Sequence, residues 1–184
     1  MQIGGIILAG GKSSRMKKDK GLLTYNEKPM AKHVIDVAQN FCEKMYLMTS
    51  NPEYDQFGLE RLEDTYKDTG PLAGIQTGLR SSEYEYNLVL SCDMPHIDEF
   101  IIKKILTPPI EDLVIISKCG ENVYPLVGLY SKWILPSLDE FLAAGNKSVL
   151  SFLHRLGVKT IVFDDDFEYN FMNVNTPDDY EALL

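Results

Sequence analysis

Ile3-Gly4-Gly5-Ile6-Ile7-Leu8-Ala9-Gly10-Gly11 is the stretch that decides the fold. Ile3 to Leu8 is a short apolar run halted by small residues, which reads as a buried strand feeding a glycine turn. The same unit recurs downstream. Pro29 opens a helical stretch in which Met30, Val34, Val37, Ala38 and Phe41 share one face. Strand-like Met45–Thr49 ends at Ser50-Asn51-Pro52, Leu72–Arg80 reads as helix, and strand-like Asn87–Cys92 closes at Asp93-Met94-Pro95. Helix from Asp98 to Leu106 and strand Leu113–Ser117 continue the alternation. A hairpin turn at Cys119–Asn122 then leads into strand Tyr124–Tyr130, followed by helix Trp133–Ala144, strand Val158–Phe163 and a terminal helix capped by Thr176 and Pro177. Strands alternating with helices predict an α/β fold, with a mainly parallel central sheet flanked by helices on both faces. Ligands of such sheets bind beyond the carboxyl ends of the strands, where Gly10-Gly11 and Asp93 fall.

The 184 residues suit one domain, 1–184. A net charge of −9 disfavours nucleic acid and anionic membrane surfaces as partners, and no stretch approaches the roughly 20 apolar residues of a membrane span. Cys42, Cys92 and Cys119 are odd in number and far apart, and no CxxC occurs. Together with the lack of a basic start and long apolar region at the N-terminus, they point to reduced thiols in a cytoplasmic protein.

Residues 8 to 20 read Leu-Ala-Gly-Gly-Lys-Ser-Ser-Arg-Met-Lys-Lys-Asp-Lys. Two glycines after a strand let backbone N–H groups approach an anion, while Arg15 and Lys20 supply charge for a polyphosphate. The alternative is a plain glycine turn with a solvated basic run. Neither GxxxxGK[ST] nor GxGxxG is present. Asp93 offers a hard cation such as Mg²⁺ the carboxylate it prefers alongside substrate phosphates, although an Asp after a strand also serves as a helix cap or turn residue. Turn chemistry competes more strongly at Asp64 and Asp68. His33, His96 and His154 read as structural or surface residues, Trp133 and the tyrosines as mostly core, and Asp164–Asp166 as a solvated turn.

Taken in order, Leu8-Ala9-Gly10-Gly11-x-Ser13-x-Arg15-Met16, Asp19-Lys20, Gly70-Pro71-Leu72-Ala73-Gly74, Cys92-Asp93-Met94-Pro95 and Asn173-Val174-Asn175-Thr176-Pro177 resemble the molybdenum cofactor guanylyltransferases from Ile3 to about Tyr180. The resemblance implies a Rossmann-like nucleotidyltransferase domain that transfers GMP from MgGTP to molybdopterin, bare or carrying molybdenum, with release of pyrophosphate. It also allows transient contact with enzymes that supply or receive the cofactor. By position it implies that Leu8, Ala9 and Gly10 read guanine, with Gly11 beside them. Arg15 and Lys20 match triphosphate contacts, Asp64 the nucleoside-binding acid and Asp93 the Mg²⁺ ligand. The family's nucleotide-binding Asn falls on Thr49, with Asn51 two residues on, and Lys17 replaces a usual Gly. The resemblance also implies that Asn173 and Asn175 lie near the active centre, towards metal or pterin, and Tyr124-Pro125 on the pterin side. Relatives transferring CMP, or acting on another phosphorylated small molecule, tend to read LAAG where this chain has LAGG, so Gly10 predicts a preference for GTP. A non-catalytic nucleotide-binding module is the remaining alternative.

Overall fold

The computed structural model describes residues 1–10, 19–63, 70–107 and 109–184. In chain order the elements are β1 (Ile3–Leu8), β2 (Thr24–Tyr25), β3 (Lys28–Pro29), α1 (Met30–Ala38), β4 (Lys44–Met48), β5 (Glu60–Leu62), α2 (Pro71–Ser81), β6 (Tyr86–Ser91) and α3 (Glu99–Ile105). They continue with β7 (Val114–Cys119), β8 (Asn122–Ser131), α4 (Leu135–Ala143), α5 (Val149–Leu156), β9 (Lys159–Phe163) and α6 (Pro177–Leu183). Seven strands form one sheet in the order β5-β4-β1-β6-β8-β7-β9. The pairs β5–β4, β4–β1, β1–β6 and β7–β9 are parallel, and β8 alone runs against its neighbours β6 and β7. The mainly parallel sheet expected from the alternation is therefore present.

Side-chain alternation splits the core into two layers, one on each face of the sheet. Ile7 of β1, Leu47 of β4 and Leu88 and Leu90 of β6 pack with α1 and α3. Their neighbours Ile6, Met48 and Val89 pack with α2, α4 and α5. Because both faces are covered, the central strands read as unbroken apolar runs. A third, smaller cluster joins Met30, Val174 and Leu183, with Leu23, Tyr25 and Tyr180 against it. It pins α6 to the β2–β3 hairpin, and the Tyr180 hydroxyl donates to the Thr24 carbonyl at 2.6 Å. Thr176 and Asp179 form a reciprocal capping box at the start of α6, as the Thr-Pro-Asp-Asp signal predicts.

The expected helix from Trp133 to Ala144 divides into a 3-10 turn, Lys132–Ile134, and α4. Trp133 is not core: it is 71% exposed, its indole N–H donating to Glu85 at the surface. The indole has a partner at the rim, so burial is not needed to satisfy it. Helix α5 was not anticipated as an element, although Ser148 caps it in the ordinary way. All three cysteines are free thiols, and among the described residues no helix is long and apolar enough to cross a membrane.

Candidate active site

Strand β1 delivers Leu8, Ala9 and Gly10 to the carboxyl edge of the sheet. The Leu8 carbonyl accepts from Cys92 N–H at 3.0 Å, and Ala9 N–H donates to Met48 at 3.1 Å. Those two groups extend the ladders to either side, leaving Gly10 as the first residue clear of them. Gly10 does not adopt a positive φ, so glycine is not required there by backbone angle. A Cβ at Gly10 would lie 3.2 Å from the Met48 carbonyl, a backbone atom that can yield only slightly. Thr49, at the end of β4, is buried, and its hydroxyl accepts from Asn51 N–H at 3.1 Å. Gly11, Arg15, Lys17, Asp64 and Asp68 lie outside the described residues.

Asp93 follows β6 and meets residues from distant parts of the chain. One carboxylate oxygen accepts from the Ser91 hydroxyl at 2.5 Å, and the other lies 3.9 Å from Lys20 Nζ. Lys20 also donates to Asn175 Oδ1 at 2.7 Å, linking positions 155 residues apart. The Asp93 carbonyl accepts from Val174 N–H at 2.9 Å, so the Asn173–Pro177 loop is hydrogen-bonded to the strand-end acid. The N–H groups of Asn175 and Thr176 both donate to Asp179 at 2.8 Å, fixing the loop from its other side. Lys20, Asp93 and Asn175 are thus brought together, while Asn173 lies on an adjoining wall.

Asp93 is not a helix cap, because Asp98 fills that position for α3. Burial pushes the Asp93 carboxyl above the ordinary range, opposed by the Ser91 hydrogen bond and the Lys20 ammonium. A partly desolvated carboxylate at a strand end invites a cation. Among the described residues no cluster of three or more His, Cys, Asp or Glu could enclose a metal. The Asp93 carboxylate, a hard oxygen donor, nevertheless fits Mg²⁺, which keeps waters and takes substrate phosphates as its other ligands.

A pocket of about 410 Å³ borders this cluster. The start of β8 supplies Asn122, Tyr124 and Pro125, while Ser91, Met94 and Asn173 complete its lining. Tyr124 stacks on Phe171 with ring centroids 4.6 Å apart, so this wall is held by the segment that precedes Asn173. Sequence reasoning missed Ser91. The signal was available: Ser91 and Asp93 lie two apart where β6 ends, a spacing at which short polar side chains hydrogen-bond locally.

A Rossmann-like α/β sheet with a lysine, a half-buried carboxylate and an open pocket at its carboxyl edge defines a nucleotide-handling enzyme, here a nucleotidyltransferase. The chain belongs to the MobA-like NTP transferase domain family, whose model matches residues 5–159. It is 34% identical to the "Probable molybdenum cofactor guanylyltransferase" of Flavobacterium johnsoniae, over 96% of this chain and 94% of that protein. The crystal structure of molybdopterin-guanine dinucleotide biosynthesis protein A from Archaeoglobus fulgidus has a TM-score of 0.80 and 20% identity, covering 98% of this chain and 96% of that one. Rv0371c of Mycobacterium tuberculosis, solved as a complex with manganese, shares the fold with a TM-score of 0.74 at 19% identity, over 100% and 98% of the two chains.

Proposed function

We propose that this chain, working as one nucleotidyltransferase domain over residues 1–184, transfers GMP from MgGTP to molybdopterin, forming the guanine dinucleotide cofactor and pyrophosphate. The observation that carries the reading is the meeting of Lys20, Asp93 and Asn175 beside the pocket of Asn122, Tyr124 and Asn173. The names of the relatives support guanine as the base and molybdopterin as acceptor.

In this reading a terminal phosphate oxygen of the acceptor attacks the α-phosphorus of GTP. The new P–O bond forms as the bond to the β-phosphate oxygen breaks, and its electron pair leaves with pyrophosphate. Two anions must approach, so positioning and charge neutralisation do most of the work. Lys20 meets the phosphate charge, Arg15 assists, and Asp93 holds Mg²⁺, which when bound supplies electrostatic stabilisation of the phosphates. In this reading Gly10, Thr49 and Asp64 supply nucleoside contacts, and the Asn122–Leu126 wall with Asn173 receives the pterin. The acceptor phosphate is already ionised at neutral pH, so the scheme needs no protein nucleophile and no obligatory base. The reaction belongs to the cytoplasm, where the three thiols stay reduced.

Pyrophosphate release, measured with GTP, CTP and ATP and with molybdopterin supplied or withheld, tests this directly. Release that needs both GTP and molybdopterin is the expected result. A preference for CTP would replace the reading with cytidylyl transfer. Nucleotide binding without any release would make the chain a non-catalytic module.

A further inference from the structure

Lys20 sits between two residues that are held from below. Asp19 accepts from Gly21 N–H at 3.3 Å and from the Tyr54 hydroxyl through one oxygen, and from the Asn51 amide at 3.2 Å through the other. Tyr54 is fully buried in the 3-10 helix Pro52–Phe57 that follows β4. Asn51 caps that same helix by accepting from Glu53 N–H at 3.0 Å. On the other side of Lys20, a Cβ at Gly21 would lie 2.3 Å from the Tyr54 hydroxyl and 3.0 Å from Cys92 Sγ. Only glycine lets the chain approach the tyrosine tip so closely. The residues on both sides of Lys20 therefore rest on one buried hydroxyl.

We propose that Tyr54 and Asn51 are positioning residues that act through Asp19 to hold Lys20 at the phosphate-binding centre between Asp93 and Asn175. The proposal rests on Lys20 being the phosphate contact of the reading above. A lysine has much rotamer freedom to lose, so a fixed backbone shortens the search for the one arrangement that meets developing charge. The tyrosine is suited to the task. It is a charge-assisted donor to a carboxylate, and burial with Cys92 and Asp19 nearby pushes its phenol far up, so it keeps its proton at every working pH. Asn51 adds a second donor, which leaves the carboxylate little room to rotate.

Two substitutions separate positioning from packing. Tyr54→Phe removes the hydroxyl and keeps the ring. Asn51→Asp keeps the oxygen that caps the helix but turns the donor to Asp19 into a like charge, which also faces Glu53. Both should lower kcat for pyrophosphate release by about tenfold while KM for GTP stays within about twofold, the mark of an interaction felt mainly in the transition state. In a Lys20→Ala background each should cost less than about twofold, because residues acting as a unit are not additive. Thermal melts monitor folding, and if Tyr54→Phe does not fold, Asn51→Asp carries the test. Unchanged kcat in the single variants overturns the proposal. So does an equal loss with and without Lys20, which would make the pair purely structural. Full activity of Lys20→Ala would instead remove the phosphate role of Lys20, and this inference with it.

Discussion

At the scale of single residues, Asp93 joins a local conflict to the function. Burial raises its carboxyl above the ordinary range, so its ionised form is favoured less in the folded protein than in the unfolded chain. That penalty is absent at acid pH and appears as pH rises through the raised folded value. Asp93→Asn should therefore melt no lower than the parent protein at neutral pH without divalent cation, yet lose about a hundredfold or more in turnover. Added Mg²⁺ with nucleotide should stabilise the parent and not the variant. Calorimetry paired with pyrophosphate release checks both halves, and near-normal turnover at limiting Mg²⁺ would refute the metal assignment. Gly10 supports a different claim from the one its sequence context suggests. Its missing Cβ faces the Met48 carbonyl, so alanine would press on the end of β4 beside Thr49. Gly10→Ala should lower turnover with GTP by about tenfold without creating a preference for CTP. A switch to CTP in steady-state assays would instead make Gly10 the determinant of base choice that the LAGG-for-LAAG difference suggests.

At the scale of elements, the segment from Asp165 to Asn175 holds together residues from distant parts of the chain. Tyr169 packs on His96 with ring centroids 4.0 Å apart, and Tyr25 meets the same imidazole edge-on at 5.2 Å. Asn170 donates to the His96 carbonyl at 3.0 Å. Burial, with His33 as a neighbouring cation when charged, holds the His96 imidazole below its usual value. The unfolded chain then binds a proton that the folded chain resists, so stability is present above about pH 6.5 and is lost as pH falls below it. The parent should melt lower at pH 5.5 than at pH 7.5, and His96→Asn should show a smaller difference. Equal differences in the two proteins would move the effect elsewhere. The cap of α6 has a simpler test. Thr176→Ala breaks a capping box and should cost about 1 kcal/mol, read from denaturant unfolding.

At the scale of the whole molecule, the site exists because the two ends of the chain meet. Lys20 comes from the 3-10 helix Lys20–Leu22, Asp93 from the turn beyond β6, and Asn175 from the loop that α6 anchors. Removing residues 177–184 takes away Leu183 and the Asp179 carboxylate that holds Asn175 and Thr176. The two main layers of the core contain none of these residues. The truncated chain should keep a cooperative sheet by circular dichroism and lose activity by about tenfold or more, since misplacement near 1 Å already costs rate. Full activity would show that the loop holds its place without the helix.

The sheet and its order of strands and helices were legible because the signals are local. Apolar runs stopped by Gly or Asp-Met-Pro mark strands, 3.6-residue spacing marks helices, and Thr-Pro-Asp-Asp marks a capped start. Charge and strand-end position single out Lys20 and Asp93 as candidates in the sequence, and the family resemblance alone points to Asn173 and Asn175. What holds them was not legible. Nothing local predicts that Tyr54 would place its hydroxyl under Asp19. Nor does sequence show that Trp133, an apolar side chain with one donor, would find its partner at the surface. Those outcomes depend on which strands become neighbours and on the distances this sets between residues far apart in the chain. Local propensity decides each element. Only burial in the assembled sheet decides which polar atoms must find one another.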